Sequence, residues 1–176
     1  MGPVDDLMWA LPGGTRRLLV PTPEAGRFVS AVYGFDDTVV TPLRVRASGR
    51  GVSVHAPELR LELHLVAGWA LRVPVRRPPW FTRWVEAPVA RRLLGVRTWG
   101  VSPTGVQEWY QAVSYRPLAH GWASLDGRDL GPLRPVDPPV RFGFSEPPRR
   151  PSMVGVRPVL HDPSGRLEEA LRPAPG

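Results

Sequence analysis

The chain has 176 residues and a net charge of +7, and it contains neither cysteine nor lysine. Disulfide bonds, thiolate metal sites and thiol nucleophiles are therefore excluded, as are Schiff-base catalysis and the P-loop lysine. All 23 basic residues are arginine, and isoleucine and asparagine are also absent. This joint absence indicates a high-GC coding bias, so the positive charge alone does not predict nucleic-acid binding, and no nucleic-acid partner is expected.

The two ends of the chain carry few structural signals. The first residues are acidic where a signal peptide would be basic, and no run approaches the ~20 apolar residues of a membrane-spanning helix. We therefore expect a cytoplasmic protein. Residues 1–160 are predicted to form a single β-rich domain, and residues 161–176 an irregular or disordered C-terminal tail.

The first third of the chain reads mainly as strands. Residues 1–16 form an irregular lead-in, and strands are predicted at Arg17–Val20 and Arg27–Tyr33. Thr38–Ala47 and Gly51–Ala56 flank a glycine-bearing turn between β-branched runs. That arrangement predicts a β-hairpin.

In the stretch Glu58–Leu65 every second residue is leucine and the residues between them are polar. Such alternation predicts a half-buried antiparallel strand, and Trp69–Val75 continues the same period. The polar face carries Glu62 and His64, whose ordinary role would be ion pairing on a solvated surface. In a closed barrel the same face would line the interior, and the sequence leaves both arrangements open.

A helical period follows over about 79–94. Pro79 suits the first turn of a helix and Gly95 suits its end, whereas Pro88 should kink the helix or split it in two. The large apolar residues at helical spacing are Trp80, Trp84, Val85 and Val89.

Further strands are predicted in the second half, with Asp126-Gly127 as a strong hairpin turn. These strands are Val96–Val101, Val106–Tyr115, Ala119–Leu125, Arg128–Leu130, Val140–Phe144 and Met153–Leu160. The fold class is therefore mostly β: a curved antiparallel sheet or a closed, cone-shaped β-barrel with one tryptophan-rich helix.

One part of the chain resembles a known family. Ala123–Gly131 and Asp137–Phe144 are similar to the C-terminal part of uncharacterised proteins from high-GC actinobacteria, which are akin to the barrels of the acetoacetate-decarboxylase-like superfamily. The resemblance implies a cone-shaped barrel. The decarboxylases of that family act through a lysine Schiff base, so the resemblance does not carry that activity to a chain without lysine. A lipocalin-like barrel fits the pattern almost as well.

The strand Val106–Tyr115 is the main candidate for a ligand site. Neither of its faces is cleanly apolar, and mixed aromatic and polar residues are typical of a binding interior. Glu108, Trp109 and Tyr110 are the residues singled out. The alternative is an edge strand whose aromatic residues cover the core.

Residues 76–99 combine arginine with tryptophan, a composition shared with helices that lie at a membrane surface. Because Pro88 interrupts a long continuous face, packing of Trp80 and Trp84 onto the sheet is the favoured interpretation. Peripheral membrane contact is the alternative.

No metal site or cofactor is predicted. The four histidines are scattered singly, and the nucleophile elbow, dinucleotide fingerprint and P-loop are all absent. Ser102 and Ser114 have no context that marks them as nucleophiles.

Three functions follow in order of preference. The first is a small-molecule-binding barrel for an apolar or amphipathic acidic ligand, whose acid an arginine would pair with. The second is a barrel enzyme with Glu108 or a histidine as general acid or base, and the third is an interaction or membrane-surface protein acting through 76–99. The oligomeric state stays open. The ligand-binding residues predicted for the first function are Glu108, Trp109, Tyr110, Trp80, Trp84 and Arg141.

Overall fold

The computed structural model describes residues 5–72 and 77–172, except the side chains of residues 93 and 94. It is mostly β, with 41% strand and 20% helix. The strands are β1 Leu7–Ala10, β2 Arg16–Val20, β3 Asp37–Val40, β4 Arg44–Ser48, β5 Gly51–Ala56, β6 Leu61–Ala67, β7 Leu71–Arg72, β8 Trp99–Val101, β9 Gln107–Leu125, β10 Arg128–Asp129 and β11 Ser152–His161. The α-helices are α1 Pro23–Val32, α2 Pro79–Phe81, α3 Ala87–Leu94 and α4 Arg166–Leu171.

The strands form two sheets. The smaller has the order β1-β2-β3, with β1 antiparallel and β3 parallel to β2. The larger has the order β10-β9-β6-β5-β4 and is organised by the 19-residue strand β9. The C-terminal part of β9 pairs with β6 and β10, and its N-terminal part with β11, β8 and β7.

The closed, cone-shaped barrel expected from the sequence is not found within the described ranges. A single strand takes different partners along its length, so the sheet branches at β9. Within the described ranges, the strands at the two ends of the sheet, β10 and β4, do not pair with each other. The coarser expectation of a mostly β protein with a short helix is confirmed.

The small sheet lies between α1 and the large sheet, because β2 is buried on both faces. Leu19 joins a core cluster with Val54 and Leu61 of the large sheet. Its neighbour Leu18 packs with Val29 of α1 on the opposite face. This burial, worth about 1.5–3 kcal/mol for each large aliphatic side chain, fixes which face of β5 and β6 points inward.

The prediction of a strand at Arg27–Tyr33 is wrong, because residues 27–32 lie in helix α1 and Tyr33 follows its end. The hydroxyl of Thr22 accepts a hydrogen bond from Ala25 N at 3.2 Å, which caps the helix, and Pro23 occupies its first turn. Residues at helical spacing, including Val29, are buried against the small sheet.

Residues 79–94 are helical as predicted, and Pro88 does not split them. A π-turn at Thr82–Glu86 joins α2 to α3, and Ala87 N–H donates to the carbonyl of Thr82. Proline lacks an N–H and clashes with the carbonyl four residues earlier in a regular α-helix. The wider π-turn just before Pro88 accommodates both constraints within a continuous helical segment.

Two local turns follow the sequence closely. Ser48 and Gly51 close the β4–β5 hairpin, and Asp126 and Gly127 connect β9 to β10. Both residues of the second turn have positive φ, 53° and 76°. Asp-Gly at this place is the pairing that such two-residue hairpin turns favour.

Two predictions for the C-terminal third differ from the structure. Val140–Phe144 forms no strand in the described chain and is an irregular strap. The tail 161–176, predicted as irregular or disordered, contains α4, which contacts α1. The carboxylate of Asp162 accepts hydrogen bonds from Ser164 N and Leu167 N at the start of this helix. Residues 173–176 lie outside the described residues.

Candidate functional site

The helical segment 79–94 presents apolar side chains to solvent. Trp80 and Trp84 are 61% and 67% exposed, and Val85 and Val89 lie on the surface with them. Exposed apolar side chains grouped in one segment make it a candidate interaction site. The favoured interpretation, in which the two tryptophans pack onto the sheet, does not match these exposures.

The positive charge of the protein is concentrated around the same segment. Residues 69–100 contain seven of the 23 arginines and one of the 16 acidic residues, which gives this stretch +6 of the net +7. The single acid, Glu86, is largely buried in an ion pair with Arg77 at 2.9 Å. The solvent-facing arginines of the helix are Arg83, Arg91 and Arg92. We name this exposed set, residues 80, 83–85, 88, 89, 91 and 92, the tryptophan–arginine face.

Polar contacts hold the helical segment against β9. Arg77 donates to the carbonyl of Ala112 at 2.6 Å, and Gln111 donates to the carbonyl of Arg77 at 2.6 Å. The guanidinium of Arg83 lies 4.4 Å from the ring centre of Trp99 on β8. The tryptophan–arginine face is therefore held in place by the sheet behind it.

Glu108 lies on the opposite face of β9. Its side chain is 0% exposed, and neither carboxylate oxygen accepts a hydrogen bond within the described chain. Burial without such partners disfavours the charged form and raises the pKa of Glu108 to about 7. Tyr110, two residues along the same face, also has a raised pKa, through burial first and the nearby Asp6 second.

The strap, residues 140–146, covers Glu108. A Cβ added to Gly143 would lie 2.7 Å from the ring of Tyr33 and 3.8 Å from Glu108 Oε1, so the strap backbone passes directly over the carboxylate. Phe144 is buried over Gly100, with its ring 5.0 Å from that of Tyr110. The carboxylate consequently lies beneath aromatic rings and backbone.

Two hydrogen bonds from backbone N–H groups help to hold the strap, beside the ring contact of Phe142 with Phe35. Gly34 N donates to the carbonyl of Phe142 at 2.7 Å, and Arg97 N donates to the hydroxyl of Ser145 at 2.9 Å. Arg141, predicted as a ligand-binding residue, lies on the exposed side of the strap and pairs with Glu146. It therefore points away from Glu108.

The predicted site residues thus fall into three places. Glu108 and Tyr110 lie together under the strap, and Trp109, half-buried, lies on the other face of β9 opposite Trp99 of β8. Trp80 and Trp84 lie on the tryptophan–arginine face. The sequence singled out Glu108 and Tyr110 because their strand has mixed character, but it did not indicate Tyr33, Gly143 or Phe144 as their neighbours.

The polar face of β6 points to solvent, which settles the question that its alternation left open. Glu62 lies 3.9 Å from His55 of β5, and the ring of His64 is 5.6 Å from that of Trp122. His55, Glu62 and His64 line a shallow groove of about 280 Å³ together with Arg44 of β4. The described residues hold no group of three or more potential metal ligands.

Among the residues that the structure describes, no helix has the length and apolar character needed to cross a membrane. Comparisons with protein-family models, curated proteins and solved structures find no match for this chain. The resemblance to the acetoacetate-decarboxylase-like superfamily therefore stays a prediction.

Proposed function

We propose that this protein attaches to the surface of anionic membranes through the tryptophan–arginine face. The observation that carries the proposal is the occurrence, in one helical segment, of two exposed indoles and three exposed arginines without an exposed acid. Interfacial helices combine these two properties, because indole rings settle at headgroup depth while cations meet anionic headgroups.

The chemistry of the face favours a lipid surface over a protein partner of mixed charge. Arg83, Arg91 and Arg92 are exposed, and the only acid of the segment is held inward by Arg77. Each arginine near an anionic bilayer contributes about 1 kcal/mol at moderate salt. Trp80 and Trp84 add apolar area that becomes buried among the headgroups, so attachment draws on two independent contributions.

Flotation with phospholipid vesicles tests the proposal. The protein should float with vesicles that contain phosphatidylglycerol at low salt and stay unbound with phosphatidylcholine alone. At about 1 M salt, where the Debye length is roughly 3 Å, binding should weaken strongly. R91A/R92A should weaken the free energy of membrane binding by about 2 kcal/mol, which lowers the partition coefficient roughly 30-fold.

The matched control for charge is R44A/R46A, which removes two exposed arginines from β4 at the far edge of the large sheet. It should bind nearly as well as the unmodified protein. Equal loss in both double variants would show that only the total charge matters, and that result would contradict a specific face.

A second candidate function is small-molecule binding under the strap, favoured by the burial of Glu108 without hydrogen-bond partners. A buried polar group without a partner costs about 1–3 kcal/mol, a cost that a bound ligand offsets. The acid–base alternative uses the same carboxylate, since a pKa near 7 suits proton transfer. Native mass spectrometry tests for a carried ligand: a mass excess that vanishes on denaturation supports binding, and its absence counts against a resident ligand.

A further inference from the structure

We propose that Glu108 binds a small organic ammonium ion bearing an aromatic or similarly flat apolar group when the strap lifts, so that the strap is the cover of the site. The proposal rests on the second candidate function, small-molecule binding under the strap, and names the ligand class. It is independent of attachment to membranes.

The charge of the site selects a cation. The carboxylate of Glu108 is enclosed, its two oxygens accept no hydrogen bond within the described chain, and burial alone accounts for its raised pKa. Asp6 lies close enough to Tyr110 to raise the pKa of its hydroxyl. An acidic ligand, expected from the arginine content of the sequence, would here face a carboxylate at close range. An ammonium ion would instead supply the hydrogen bonds that the two oxygens lack.

The walls of the site suit the apolar part of such a ligand. Tyr33 lies against Gly143, and Phe144 and Tyr110 have ring centres 5.0 Å apart. Aromatic faces attract cations through their quadrupole and stack with flat apolar groups. The ring of Phe144 itself rests on Gly100, the residue opposite Glu108 on β8. A ligand ring would therefore take the place of Phe144 when the strap lifts.

The strap can act as a cover because side-chain packing and two hydrogen bonds to backbone N–H groups hold it, and not strand pairing. Ser145 accepts one hydrogen bond from Arg97 N, and Phe142 accepts one from Gly34 N. The strap has no strand pairing within the described chain, so lifting it breaks no sheet. Opening would move Phe144 off Gly100 and expose the carboxylate.

The ligand class is tested by titration calorimetry with three probes of one shape: 2-phenylethylammonium, 2-phenylethanol and phenylacetate. The experiment is done at pH 8, where Glu108 is ionised and the amine is protonated. We expect saturable binding of 2-phenylethylammonium, and E108Q should weaken it at least tenfold, as expected for loss of a charge-assisted hydrogen bond. E62Q, which removes an exposed acid from β6, should bind as the unmodified protein does.

S145A tests the strap. This variant loses the hydrogen bond from Arg97 N to the hydroxyl of Ser145. The association rate of 2-phenylethylammonium should rise several-fold, and the preference for the cation should stay. An unchanged rate would overturn the role of the strap as a cover.

The outcomes separate the ligand class from the broader function. Preference for phenylacetate or 2-phenylethanol, lost in E108Q, would overturn the cation and leave small-molecule binding intact. Failure of all three probes, with no mass excess in native mass spectrometry, would overturn both. Binding of the cation that persists in E108Q would place it elsewhere and overturn the assigned site.

Discussion

Glu108 illustrates how the position of one residue determines its chemistry. In the sequence it is one acid in a strand of mixed character, and only the fold removes it from solvent. The covering residues, Tyr33 and the strap, are separated from it by dozens of positions, and no local period links them. The sequence could therefore predict that Glu108 is unusual, but it could not predict its aromatic surroundings.

The raised pKa of Glu108 predicts how stability depends on pH. The pKa of the Glu108 carboxyl group rises from 4.5 to about 7 on folding. Its protonated form therefore stabilises the native state, relative to high pH, fully below about pH 4.5. That contribution is lost as pH rises through about 7, and the shift corresponds to about 3 kcal/mol. E108Q should remove this dependence, so its unfolding free energy should change less than that of the unmodified protein between pH 4.5 and 8.

Urea denaturation at several pH values provides the measurement, with E62Q as the control. Glu62 is about half exposed, so E62Q should keep the pH dependence of the unmodified protein. Parallel curves for E108Q and the unmodified protein would show that Glu108 does not titrate as proposed.

At the scale of elements, periodicity identified the strands of the large sheet better than it identified helix α1. The alternation in β6 and the turns at Gly49 and Gly127 are local signals that the fold preserves. Helix α1 contains Phe28, Val29 and Val32, whose β propensity masked the start signal at Thr22. Burial of its apolar stripe outweighs those preferences.

The capping bond of α1 gives a prediction at this scale. T22A should lower the free energy of unfolding by about 1 kcal/mol, because Ala25 N loses its acceptor at the helix start. T15A is the matched control, since Thr15 is exposed and has no such capping role. Equal stabilities of the two variants would mean that the cap contributes nothing.

For the whole molecule, the important feature is the distribution of charge and apolar surface. The sequence contains the full charge count, so the excess of arginine over acid in 69–100 was available before the structure. What the sequence could not supply was the direction of Trp80 and Trp84, because a helical apolar stripe is more often packed inward.

The central claim is that the tryptophan–arginine face binds anionic membranes, and vesicle flotation of W80A/W84A beside W122A tests it most directly. Trp122 is also exposed, at 42%, but lies on the polar face of the large sheet next to His64. We predict that W122A floats with phosphatidylglycerol vesicles as the unmodified protein does, whereas W80A/W84A stays largely unbound. Equal flotation of the two variants would contradict the account.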